Sequence, residues 1–231
     1  MGLDVHVMPI WKFKAGDFAS PLERLGMVPV ILRPDGMTQR DPHSRPGFIT
    51  RWRAKRSTQR LKREIEVEIG HPVHWNEEGD VAYTEQAHGF EPLRAFAKWL
   101  DYRDVFSTFE APPEDNYYKH PVMSDKLSRP LTYPHLVDHN CYGGYYLPAE
   151  MERVVYVEPF VAWGKFVFKN SVGSSNRLLK ELQQLSGVLG VDDQYDWEEG
   201  DPLVEVKMAI AQLYKVAKIS CEQNLPVIFD G

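Results

Sequence analysis

Val172–Gly187 reads VGSSNRLLKELQQLSG, and the fold class turns on it. Ser174 or Ser175 suits an N-cap, Leu178, Leu182 and Leu185 recur on one helical stripe, and Gly187 stands ready as the residue after the C-cap. A helix with one buried face is therefore predicted. Immediately before it, Val154, Val155 and Val157, then Val161, Trp163, Phe166 and Phe168, form β-rich segments broken by a turn or bulge at Gly164. Strands and helices grouped in this way predict an α+β fold: a mixed or antiparallel sheet packed by several helices.

Working outward, Asp201-Pro202 opens another helix whose stripe is Val204, Met208, Ala211 and Cys221, with Asn224 able to end it. LPVIFDG then closes the chain as a last strand or docked tail. At the other end Leu3, Val5 and Val7 alternate with Asp4 and His6, a half-buried strand. Ser20-Pro21 starts a short helix closed by Gly26, and the apolar run from Met27 to Leu32 suits an edge strand because Pro29 lacks an N–H. Leu93, Phe96, Ala97 and Leu100 mark a helix from Glu91-Pro92. Ala111 to Pro134, rich in Pro, Asp, Lys and Tyr, reads as a long surface connection. One domain over residues 1–231 is expected, with a single core and a basic loop and helix excursion at about 33–63.

That excursion is the strongest compositional signal. Arg33 to Gly47 is polar and punctuated by proline and glycine, so a loop is expected; Phe48 to Arg63 suits a helix. Glu64 to Ile69 can be either its continuation or an alternating strand. Ten basic and two acidic residues lie between Arg33 and Arg63, leaving 17 basic and 31 acidic residues elsewhere in a chain of net charge −6. Arg51, Trp52, Arg53, Lys55, Arg56, Arg60 and Arg63 would offer a phosphate-tracking or protein-docking surface. The acidic run Asp192–Asp201, six carboxylates without a base, is its competing internal partner.

YPHLVDHNCYGGYY, residues 133–146, holds the donors that zinc or a similar divalent metal would use: His135, Asp138, His139 and Cys141. The competing reading is a polar turn before an aromatic strand. No glutamate follows the first histidine, as a thermolysin-like motif requires, although His71 and His74 can complete a set. Ser174 and Ser175 at a helix start, with Arg177, form a candidate anion site, which ordinary capping also explains. An EF-hand is excluded because Trp197 and Leu203 occupy the positions of the turn glycine and closing glutamate. Neither a nucleophile elbow nor a phosphate-binding P-loop occurs.

Two cysteines are too few for a disulfide scaffold, and no apolar run reaches the roughly 18 residues of a membrane span. A cytoplasmic location with no membrane partner is expected. MGLDV at the start, GGYYLP and VGSSNRLLKEL together resemble a set of bacterial cytoplasmic proteins sharing these segments, a resemblance that implies bacterial or phage origin and brings no catalytic residues. The leading expectation is a non-enzymatic interaction protein of immunity, adaptor or defence-associated type, presenting a charged face to a protein partner. A metal-dependent hydrolase or nuclease using His135, Asp138 and His139 is the first alternative, and a nucleic-acid-binding module through Arg51–Arg63 the second.

Overall fold

A computed structural model describes residues 3–19, 30–33, 36–39, 45–110, 120–124, 129–140, 143–162, 166–192, 194–195 and 198–230. Its centre is a mixed six-stranded sheet in the order β4 (Tyr83–Ala87), β1 (Leu3–Val7), β8 (Val227–Asp230), β5 (Gly143–Leu147), β7 (Phe166–Ser174) and β6 (Val155–Ala162). Only β5 and β7 run parallel; the other neighbours are antiparallel. The α+β expectation holds, and Val227–Asp230 of the closing LPVIFDG forms a central strand.

Strand alternation sends side chains to two buried layers. Val5, Val7, Tyr146, Val227 and Phe229 face one core, shared with α3 (Phe90–Tyr102), α5 (Pro134–Val137), α6 (Ser175–Leu189) and α7 (Val204–Gln223). Tyr145, Leu147, Val172 and Ile228 face the other, covered by α1 (Ile10–Ala15) and α2 (Phe48–Ile69). This is why the middle strands read as continuous apolar runs. A short α4 (Pro121–Ser124) buries Val122 against Tyr102, within the stretch expected as a surface connection.

Sequence and structure part company at a few places, each with a local cause. Gly36–Gln39 forms β3, paired antiparallel with β2 (Val30–Arg33), inside the expected polar loop. Glu64–Ile69 continues α2 because Ala54, Thr58, Leu61 and Ile65 make one buried stripe; Val67, which a strand would have placed beside Ile65 and Ile69, is left 81% exposed. Helix α6 runs through Gly187 and ends at Gly190, which takes the left-handed conformation with φ 65°. In α7 the buried stripe is Val206, Ala209, Ile210, Ala211, Leu213, Val216, Ala217 and Ser220, which keeps the expected Ala211. It displaces the expected Val204, Met208 and Cys221 because the helix is apolar on more than one side, and the fuller stripe wins the core. Asn224 ends α7 in the left-handed region as expected. The short helix expected from Ser20-Pro21 lies outside the described residues.

Gly89 shows how closely α3 approaches α7. Its φ is 68°, and a Cβ placed there would lie 2.2 Å from the Glu205 carbonyl oxygen, so only glycine fits.

Candidate functional site

The histidine stretch forms a single turn, α5, held by side chains from the surrounding elements, most of them buried. At its start, the Glu181 carboxylate accepts from the backbone N–H groups of His135 (3.0 Å) and Leu136 (2.8 Å). At its end Arg94 donates to the carbonyls of Leu136 and Val137, Tyr146 to that of His135, and Tyr156 to that of Asp138. A carboxylate at the N-terminus and a guanidinium at the C-terminus also match the polarity of the turn's backbone dipoles.

His135 Nδ1 accepts from the Ser174 N–H, which leaves the ring proton on Nε2. Nε2 faces the backbone of Met151 and Glu152 outside hydrogen-bonding geometry. Both nitrogens of His139 lie beside carbonyls, of Asn140 (2.8 Å) and Tyr145 (3.2 Å), and its ring stacks on Tyr146. Burial lowers the His135 pKa to about 4 and that of His139 to about 3, and raises that of Glu181 to about 7.

The two histidines do not share a helix face, since α5 ends at Val137; both are buried, while Asp138 is exposed. Among the described residues no group of three or more His, Cys, Asp or Glu side chains gathers to hold a metal ion. Cys141 lies outside the described residues. Around the buried His135 and His139 the geometry is that of a structural turn, with no metal cradle among the described residues. Cys221 donates to Asn176, and burial raises its thiol to about 11, away from the thiolate a nucleophile needs.

The start of α6 is likewise closed. Ser174 Oγ accepts from the Arg177 N–H and donates to the Ala149 carbonyl, while the Ser175 and Ser220 hydroxyls bond at 2.7 Å. Both serines are fully buried and Arg177 is drawn to Glu150, so the anion expected at Ser174, Ser175 and Arg177 finds no open seat. Ser174→Ala is expected to lower stability by about 1–2 kcal/mol, read from urea unfolding, because the cap and the Ala149 bond go together.

Charge, by contrast, is displayed and segregated. On α2, Arg51 pairs with Asp17, Lys55 with Glu78, Arg60 with Glu64 and Lys62 with Glu77. Arg53, Arg56 and Arg63 are exposed and, among the described residues, have no ion pair. The acidic run lies on the connection between α6 and α7, helices that cover the opposite face of the sheet. Its Asp201 is held by Lys207, Tyr195 and the Leu203 N–H, whereas Asp192, Glu198 and Glu199 are exposed. Among the described residues no ion pair joins this run to α2.

A family model described as "Putative DNA-mimic protein" matches residues 1–229. The chain belongs to this family. The match runs from β1 into the final strand β8 and so spans both the acidic connection and the basic helix. No curated protein and no solved structure matches the chain. No helix among the described residues is long and apolar enough to cross a membrane. Glu181 and Arg94, the residues that organise the turn, carry no motif; their only sequence sign is a charge inside an otherwise apolar helical stripe.

Proposed function

We propose that this protein acts without catalysis, by taking the place of DNA on the nucleic-acid-binding surface of a partner protein. The family match over residues 1–229 carries this reading. Charge supports it: outside residues 33–63 the chain holds 31 acidic against 17 basic side chains, a formal charge of −14. DNA-binding surfaces gain much of their affinity from neutralising phosphates and releasing counterions. A protein competes for such a surface by holding carboxylates at comparable density, and Asp192, Glu198 and Glu199 are our assignment for part of that array. Such competition is the work of an immunity, adaptor or defence-associated protein.

The test begins with the purified chain immobilised and exposed to a bacterial lysate at low salt. A partner of the proposed kind is released by excess 30-base-pair duplex DNA, and its own affinity for that duplex falls when free chain is added. Reversing Asp192, Glu198 and Glu199 to lysine should weaken the captured complex at least tenfold. Retention of every bound protein in saturating duplex, or an unchanged affinity after the triple reversal, would remove the proposal.

A further inference from the structure

Among the described residues nothing packs on the outermost side chains of α2, Phe48, Arg53, Arg56 and Arg63, and their chemistry points to a ligand. We infer that this side of α2 is a second binding face, for single-stranded nucleic acid, with Arg53, Arg56 and Arg63 on the phosphates and a base stacked on Trp52. The inference is independent of the DNA-mimic reading, which concerns the acidic connection.

Three observations carry it. First, the inward side of α2 is spent on packing through Ala54, Thr58, Leu61 and Ile65, and its flanking cations on ion pairs, while the three outward arginines keep their charge unpaired among the described residues. Secondly, at about 1.5 Å per residue these arginines spread along about 15 Å of one exposed helix, a length that several nucleotides can follow. Thirdly, large apolar side chains stand in solvent at the same end: Phe48 is 82%, Ile49 63% and Trp52 51% exposed, with the Arg56 guanidinium 5.5 Å from the Trp52 ring centroid.

A second copy packed α2 against α2 would oppose like charges. An acidic protein surface could answer the arginines. Nucleic acid answers more of the pattern, because phosphate is the densest common polyanion and accepts the guanidinium fork in two bonds, and because bases stack on exposed aromatics whatever their sequence. A single strand is favoured over a duplex since its bases are free to reach Trp52.

Fluorescence anisotropy with a labelled 20-nucleotide oligothymidylate, its duplex with oligodeoxyadenylate, and polyglutamate as competitor tests the assignment. The single strand is expected to bind more tightly than the duplex. With three phosphates neutralised, its affinity should fall roughly 20-fold between 50 and 200 mM salt. Arg53→Glu/Arg56→Glu/Arg63→Glu should abolish binding. Trp52→Ala should weaken the single strand at least about fivefold while leaving the salt dependence in place. These side chains are exposed, so unchanged thermal melts will show that the variants remain folded. The inference is overturned by absence of binding at 50 mM salt, by binding indifferent to the arginine reversals or to Trp52, or by polyglutamate displacing the strand equally well at matched charge, which would assign the face to an acidic protein. Salt-sensitive self-association of the free protein that the reversals abolish would instead assign it to a second copy.

Discussion

Replacing Glu181 by alanine is expected to destabilise the protein by about 3 kcal/mol. The carboxylate is 6% exposed and accepts the N–H groups of His135 and Leu136, both themselves buried. Removing it strands two buried donors, at roughly 1–3 kcal/mol each, and opens space at the junction of α5 and α6. Burial of the charge costs part of what the bonds return, as the raised pKa of about 7 records, so the net figure falls below their sum. Glu181→Gln should lose about half as much, because its carbonyl oxygen still accepts one N–H while its amide turns a donor towards the other. Urea unfolding of the two variants checks both the size and the order. Equal stability of Glu181→Ala and the parent would mean that the turn is not held as described.

The same residues explain what was legible in the sequence. Leu178, Leu182 and Leu185 on α6, and Leu93, Phe96 and Ala97 on α3, are found buried because regular apolar spacing directly reports burial. β1 was visible for the same reason. His135 and His139 could not be read in this way: side-chain identity suggested ligation, but their roles depend on Ser174, Tyr145 and Tyr146, which only the folded sheet brings near. Glu181 and Arg94 sat unnoticed inside amphipathic helices, since a buried charge is recognised by its distant partner. Charge segregation was half visible. Composition located the basic and acidic segments, yet whether they neutralise each other depended on which face of the sheet each helix covers. α1 and α2 cover one face, and α3, α5, α6 and α7 the other.

Acidification from pH 7 to 4 is expected to weaken the fold by several kcal/mol, and the histidines give the sign. Each titrates near 6.5 when unfolded but only at about 4 (His135) or about 3 (His139) in the fold. Their contribution is therefore whole above pH 6.5 and is lost as the pH falls, because the unfolded chain takes up protons that the buried rings refuse. For His135 the fall from 6.5 to about 4 is worth roughly 3 kcal/mol. Glu181 works in the opposite direction. Its pKa rises from 4.5 to about 7 on folding, so its contribution is whole below 4.5 and is lost as the pH rises through 7. Those two contributions nearly offset each other on acidification, which leaves His139 as the main source of the loss, opposed in part by Asp4, Asp138 and Asp230, whose carboxyls burial holds above the usual range. Urea midpoints between pH 7.5 and 4 should show it, and two variants separate the individual side chains. His135→Asn, which keeps an acceptor for the Ser174 N–H, should flatten the decline; Glu181→Gln, which removes the relief on acidification, should steepen it. Exposed pairs such as Asp104 with Arg129 add acid sensitivity of their own but are the same in all three proteins. A parent whose stability is level or rising towards pH 4, or variants with parallel profiles, would show that the buried rings do not control the acid response.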